Sequence, residues 1–514
     1  MAQTTPDISA RAIDEHEEAL LDHVRPSAWE NPAPTGRYDL LVIGAGPAGL
    51  ITASGAAGLG ARVALVEKHR MGGDCLNVGC VPSKALIACA RAAAGVRRAH
   101  EFGVVGAEDA RVDFPAVMRR MRKLRAGLAR HDSALRYREM GIDVFLGAGT
   151  FVDRQTFQIG DRSLHFRKAC IATGARAAEL PIPGLKEAGY LTNETVFSLT
   201  ELPRRLAVIG AGPIGCELAQ AFARFGSEVM LIEAMPQILI REDRDAAQIV
   251  QRALERDGVK IVVGCKISNV GCRMTVEGRP EGKTIVAEHG GARQEIAVDQ
   301  ILVGVGRAPN VEGLGLEAAG VEFDRTGIKV DDRLRTTNRS IFAAGDISSP
   351  YKFTHVADAE ARIVIANALF RGRGRRSALT VPWCTYTDPE LAHVGLYAKD
   401  AEERGIKVDT FTVEMSTNDR AILDGEVDGF LKVHVRKGTD RIVGATLVAA
   451  RAGDMISELT LAMTSGAGLK GLSGTIHPYP TQSAVCGRAG DAYSRTRLTP
   501  LARRALRFLL WLGR

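Results

Sequence analysis

Two apolar runs in this chain end in the same kind of glycine turn. Residues 38–49 read YDLLVIGAGPAG and residues 205–215 read RLAVIGAGPIG. Each begins as a short, continuous aliphatic stretch, the pattern of a strand buried on both faces. A helical stretch follows each turn, and then a second apolar run, ARVALVE or SEVMLIE. Strand, turn, helix and strand in that order predict two Rossmann-like dinucleotide-binding domains in an α/β protein. Elsewhere the period is helical. Residues 8–24 predict a short amphipathic helix, PSAWENPAPTG (26–36) a linker, and SKALIACARAAAGV after Pro82 a longer helix. Near the far end Thr499 suits a cap and Pro500 the first helical position. Leu501, Ala505, Phe508, Leu509 and Leu512 then share one face, with Arg503, Arg504, Arg507 and Arg514 on the other.

The glycine spacing carries chemistry. Gly44 and Gly210 permit the tight turn, and Gly46 and Gly212 let a pyrophosphate approach the backbone. Gly49 and Gly215 let the helix pack closely on its strand, and the helix N-terminus attracts the phosphates. Glu67 and Glu233 each lie 23 residues after the first glycine of their copy, placed to accept hydrogen bonds from ribose hydroxyls. A carboxylate at Glu233 repels a 2′-phosphate, so NADH is favoured over NADPH, although Arg241 and Arg244 lie close enough in sequence to fold back.

Composition sharpens the class. A chain of 514 residues suggests about three domains, and 46% hydrophobic with 25% charged residues is globular composition. No apolar run reaches the ~18 residues of a membrane span, and the start lacks a secretory signal, so a cytoplasmic protein is expected. The net charge is +7, but from residue 488 onward seven arginines face one aspartate. Nearly all the basicity belongs to this tail, which argues against a nucleic-acid surface on the body. The tail suits either a helix packed on the body or partner subunit, or an interfacial helix on anionic lipid at the inner membrane face.

Nine cysteines are ordinary usage for this length, yet two stand five apart in GGDCLNVGCVPSK (72–84). A regular helix would hold them too far apart for a disulfide, while Asn77 and Gly79 tolerate the dihedrals that close the gap. Cys80 falls near a helix N-terminus, which favours a thiolate, and Lys84 lies one turn on. The residues alone leave two readings: a redox pair, or two buried free thiols. Cys89, Cys170, Cys216, Cys265 and Cys272 read as buried free cysteines, and Cys384 and His393 as core residues.

The stretch GGDCLNVGCVPSK resembles the redox-disulfide motif of the class I pyridine nucleotide-disulfide oxidoreductases, which include glutathione reductase, dihydrolipoamide dehydrogenase and mercuric reductase. Further motifs stand in order: IATGARAAELPIPG (171–184), GVGRAPN (304–310), IFAAGDI (341–347) and PWCTYTDPELAHVGL (382–396). The resemblance implies FAD, with NAD(P)H as co-substrate, a Cys75–Cys80 redox disulfide, and a homodimer with an α+β dimerisation domain. By the same resemblance Asp346, Thr173, Gly174, Gly306, Arg307 and Ala357 sit at the cofactor, Lys84 contacts the flavin, and Glu217 pairs with Lys84. The expected division is an N-terminal extension (1–37), FAD-binding segments (38–187 and 305–378), an NAD(P) domain (188–304), an interface domain (379–490) and a basic tail (491–514). No resident metal site is expected.

One family feature is altered. Disulfide-reducing members carry a His–Glu base in an HPTxxE arrangement, because thiol exchange must move protons. This chain reads TIHPYPTQSAV (475–485). Alignment on Pro-Thr places Tyr479 at the histidine and Ala484 at the glutamate, with His477 two residues upstream and no carboxylate partner evident for it. Mercuric reductase also has a tyrosine here, but it ends in a vicinal cysteine pair, whereas this chain has no cysteine after Cys486 and no N-terminal CxxC. The expectation is a mercuric reductase-like enzyme passing electrons to Hg(II) or a related small acceptor. The alternatives are dihydrolipoamide or other disulfide reduction, a membrane-surface NADH:quinone reductase, and a non-enzymatic flavin-binding sensor.

Overall fold

A computed structural model describes residues 14–107, 109–274 and 280–513. The chain divides into two compact units, one of residues 1–211, 221–232 and 265–379, the other of residues 212–220, 233–264 and 380–514. Residues 8–13 of the expected N-terminal helix, and Arg514, lie outside the described residues.

The first unit is built on the strand Arg37–Ile43, buried along most of its length. It pairs in parallel with Val63–Glu67 on one side and Arg162–Ile171 on the other, in registers such as Leu41↔Ala64 and Val42↔Cys170. Asp143–Leu146 extends the sheet beyond Val63–Glu67, and Ile341–Ala343 returns to pair in parallel with Arg162–Ile171. Such strands are covered on both faces, which is why they read as unbroken apolar runs. The second apolar run, Arg205–Ile209, pairs in parallel with Glu228–Ile232 and Gln300–Val303. Both glycine turns therefore leave the carboxyl ends of central strands, where open α/β sheets bind nucleotides.

Two local expectations change. The helix expected after Pro82 already begins at Cys80 and runs to Arg97, with Pro82 in its first turn, where a missing N–H costs no helical bond. Cys170, Cys216 and Cys265 are buried, but Cys89 is only half-buried and Cys272 is exposed. Cys272 sits opposite Lys283 towards the end of an antiparallel hairpin, where the strand has run past the core.

The second unit carries a five-stranded antiparallel sheet, in the order Pro382–Thr385, Glu390–Gly395, Ile442–Ala449, Phe430–Arg436 and Val408–Glu414. The helices Ala452–Ser465 and Ala484–Thr496 bury Leu459, Val485, Cys486 and Ala489 against Leu431, Val433 and Leu447. Cys384 packs on this core. His393 is fully buried, its ring stacked on Tyr397 at 3.7 Å and its Nδ1 2.8 Å from the Thr446 hydroxyl. Both were read as core residues.

Burial holds the His393 pKa down at about 3. An imidazole depressed below its unfolded value is neutral in the fold and takes up a proton on unfolding, so its stabilisation is lost as pH falls from about 6.5 towards 3. The denaturation midpoint should therefore fall on acidification over that window, and fall less steeply in His393→Gln. Parallel slopes in urea titrations would contradict this.

Candidate active site

The first glycine turn is shaped by backbone approaching backbone. At Gly44 (φ +98°) an added Cβ would lie 2.4 Å from the carbonyl oxygen of Ala172, and at Gly49 it would lie 1.8 Å from that of Gly44. At Gly46 the nearest atom would be 3.8 Å away, and at Gly212 nothing lies within 4 Å. One glycine in each loop, Gly46 and Gly212, thus faces open space in front of a helix N-terminus, a cradle that a side chain would fill and a pyrophosphate fits. Glu67 closes its strand as expected, but both its oxygens are engaged. Oε2 accepts the Ala45 N–H at 2.7 Å and Oε1 the His69 N–H at 2.6 Å, while burial raises its pKa. Glu233 follows Glu228–Ile232, and its Oε1 accepts the Met235 N–H at 2.9 Å.

The redox stretch folds as two helices broken at one residue. Cys75 lies in Gly73–Val78 and Cys80 opens Cys80–Arg97, with Gly79 between them at φ −136°, ψ −119°. A Cβ at Gly79 would come within 2.7 Å of the Asp74 carbonyl oxygen, so glycine is what lets the chain double back. The break brings the sulfurs together as a dithiol in hydrogen-bond contact. The bond to Cys80, and then burial, raise the Cys75 pKa, so its thiol stays protonated. Cys80 is exposed and lies 3.4 Å from the Thr354 hydroxyl, at the start of the helix Thr354–Leu369 that also carries the buried Ala357. Lys84 stands one turn beyond Cys80, half-buried.

Several other expected residues converge here. The Arg307 guanidinium binds the Asp74 carboxylate and the Ala175 carbonyl, and forms a 3.1 Å ion pair with Asp346. It therefore joins the residue before Cys75 to the AAGD turn. Burial raises the Asp346 pKa against the pull of Arg307 and Lys352. Thr173 donates to the Asn310 carbonyl at 3.0 Å, and Asn310 returns a bond to the Thr173 carbonyl. Gly174 (φ +67°) and Gly306 (φ +125°) adopt conformations that favour glycine.

The N-terminal helix Glu15–Val24 braces this region, a role the sequence reading did not find. Glu17 is only 5% exposed, and its carboxylate pairs with Arg70 at 2.9 Å and with Arg125. Arg125 also donates to the Asn77 carbonyl at 2.8 Å, and the Asn77 amide holds the Met71 and Gly73 carbonyls. The available signal was Glu17 sharing a helical face with Leu20 and Val24, both fully buried.

The remaining expected residues lie in the second unit. Glu217 is buried, and its Oε1 accepts the Tyr386 N–H at 2.9 Å. Tyr479 is 81% exposed and donates its hydroxyl to Asp419 at 3.1 Å, a bond that raises the phenol pKa. His477, for which the sequence offered no acid, has one: Nε2 lies 2.9 Å from Glu458, nineteen residues upstream on Ala452–Ser465. The buried Cys486 thiol reaches the same carboxylate. Asp419 and Glu458 were missed because each is brought in from another element.

Glycine turns after two sets of parallel strands, a dithiol across a helix break and a unit with a five-stranded antiparallel sheet define a class. The chain belongs to the pyridine nucleotide-disulphide oxidoreductase family: the family model matches residues 38–361, and the model of its dimerisation domain matches residues 381–489. The family is FAD-dependent and uses NAD(P)H. The chain is 36% identical over 463 residues to dihydrolipoyl dehydrogenase of Bacillus subtilis (strain 168), covering 88% of this chain and 96% of that protein. It is 34% identical over 449 residues to mercuric reductase of Staphylococcus aureus, covering 87% and 81%. Among solved structures it resembles the Cu(II) complex of an HOCl-induced flavoprotein disulfide reductase from Escherichia coli. That match has a TM-score of 0.79 and 29% identity over 89% of this chain and all of that one.

Gly49→Ala should yield folded protein with at least about tenfold weaker FAD retention, read from the 450 nm to 280 nm absorbance ratio, because the added methyl meets a carbonyl that cannot move away. Glu17→Ala removes the carboxylate shared by Arg70 and Arg125 and should cost about 3–5 kcal/mol in denaturant titration. A change within about 0.5 kcal/mol would show that the brace is dispensable.

Proposed function

We propose that this protein is an NAD(P)H-dependent flavoenzyme whose Cys75–Cys80 pair delivers electrons to a thiophilic metal ion, Hg(II) or a close relative, in a mercuric reductase-like reaction. The observation that carries this reading is Tyr479, hydrogen-bonded to Asp419, where a dithiol-exchanging relative needs a base. Bound FAD would supply the two-electron relay between nicotinamide and the cysteine pair. Gly44, Gly46, Gly49 and Glu67 would hold it, with Thr173, Gly174, Gly306, Asp346 and Ala357. Gly210, Gly212, Gly215 and Glu233 would hold NADH in preference to NADPH. Lys84 would place a cation beside the cofactor, and Arg307 fixes Asp74 and Asp346 around the redox turn.

In the overall balance NADH and one proton reduce the Cys75–Cys80 disulfide to two thiols, giving NAD+. The two sulfurs then lose their protons to bind the metal ion. Two electrons pass to Hg(II), giving Hg(0), and the S–S bond forms again. Tyr479 serves as a neutral phenol that orients the incoming ion. The dimerisation domain supports a homodimer. The solved Cu(II) complex of the Escherichia coli reductase supports a metal ion as the class of acceptor.

Dihydrolipoamide turnover is the second reading, favoured by the imidazole–carboxylate contact of His477 with Glu458. The two separate in one experiment, NADH oxidation by the purified flavoprotein with Hg(II), Cu(II), lipoamide, oxidised glutathione or a quinone. Hg(II) should exceed the oxygen-only rate, Cys75→Ser and Cys80→Ser should each abolish the excess, and Tyr479→Phe should lower it by about 10²-fold. Hg(II) turnover no faster than oxygen alone refutes the proposal. Lipoamide turnover that disappears in His477→Asn establishes the second reading instead.

A further inference from the structure

We propose that the helix Pro500–Leu512 docks this protein onto a bilayer surface rich in anionic phospholipid. The helix is well started, with the Thr499 hydroxyl accepting the Ala502 N–H at 3.2 Å and Pro500 in its first turn. Yet none of its residues is buried. Leu509 is 61% exposed and Trp511 69%. Among the described residues, no side chain of the helix hydrogen-bonds or ion-pairs with the body of the protein.

The distribution around the axis selects the occupant. At 3.6 residues per turn, Phe508, Leu501, Leu512, Leu509, Leu506 and Leu510 follow one another over an arc of about 200°. Arg503, Arg504 and Arg507 occupy about 100° of the remainder. A helix docked on a protein surface buries a stripe of about 100°, which would leave Leu506 and Leu510 or else Phe508 and Leu501 in water. A helix lying at the depth of lipid headgroups buries the whole broad arc and keeps the arginines at the phosphates. Trp511, stacked on Phe508 with ring centroids 6.0 Å apart, falls inside the arginine sector, between Arg507 and Arg504 and about 60° from Phe508, where an indole sits at headgroup level with its N–H to water. Charge agrees: residues 492–514 contain no aspartate or glutamate. At ~1.5 Å per residue the helix is about 20 Å long, short of the roughly 30 Å hydrocarbon core. No described helix is long and apolar enough to cross a membrane. The helix therefore lies on the surface. This surface is independent of the acceptor, so failure of either proposal leaves the other standing.

The test is co-sedimentation of the full-length flavoprotein with vesicles of phosphatidylglycerol and phosphatidylethanolamine, against vesicles of phosphatidylcholine alone. The protein should sediment with the anionic vesicles at about 0.05 M salt, and at least tenfold less with phosphatidylcholine or at about 0.5 M salt. Leu509→Glu, and separately the triple change Arg503→Gln, Arg504→Gln and Arg507→Gln, should release it without altering the NADH oxidation rate or the subunit count in solution. No sedimentation, sedimentation indifferent to lipid charge, or binding retained in both variants overturns the proposal. So does a changed subunit count in Leu509→Glu, which would show that a second copy covers the helix.

Discussion

The redox turn depends on how closely one backbone can approach another. A Cβ at Gly73 would lie 2.6 Å from the Gly46 Cα, so the turn before Cys75 is pressed against the first glycine loop. The Gly49 helix presses on Gly44 from the other side, and Gly79 folds Cys80 back over Asp74. None of these contacts admits a methyl group, and dense packing gives little room for a backbone carbonyl to retreat. The nucleotide loop and the cysteine pair are thereby one mechanical piece. A pair meant to exchange electrons with a bound cofactor gains from this arrangement, because its position is set by main chain and not by adjustable side chains.

Buried charge supplies the second layer. Glu17 with Arg70 and Arg125, and Arg307 with Asp74 and Asp346, tie distant segments to the two ends of the helix that carries Cys75. Such pairs pay heavily in desolvation and add little net stability, but an incomplete set is strongly unfavourable. Their consequence is geometric. A shift of Gly73–Val78 would strand a buried guanidinium, so the helix has one acceptable seat. The N-terminal helix, which lies ahead of the residues matched by the family model, takes part in this seat through Glu17.

What was legible in the sequence follows from the same physics. The glycine loops, the acids that end their second strands and the break at Gly79 are local demands on backbone shape, and local demands leave local patterns. The partners of His477 and Tyr479 left none. Glu458 reaches the loop residue His477 from the helix Ala452–Ser465, and Asp419 reaches Tyr479 across sixty residues of sequence, both set by the packing of the interface unit. Glu17 looked like one more acid in an acidic stretch, and only tertiary burial distinguishes it. Cys272 failed for the converse reason, since an apolar residue at the end of a hairpin has no core left to enter.

Proton accounting links the interface unit to the choice of acceptor. Reducing a disulfide acceptor releases two thiols that must each receive a proton, so that chemistry needs a group able to shuttle protons near neutral pH. Hydrogen bonding to Asp419 raises the Tyr479 pKa further above neutrality, so the phenol can donate a hydrogen bond but cannot serve as a base there. His477 has both ring nitrogens facing oxygen acceptors, Glu458 and the Thr475 carbonyl, so no imidazole lone pair is turned towards solvent. A metal ion makes the opposite demand, since the two thiols release their protons on binding it and its reduction returns the sulfurs to a disulfide, with no product left to protonate. Replacing a titrating imidazole by a phenol would impair the first chemistry and leave the second intact, and that asymmetry is the physical ground for preferring a thiophilic metal ion as the acceptor.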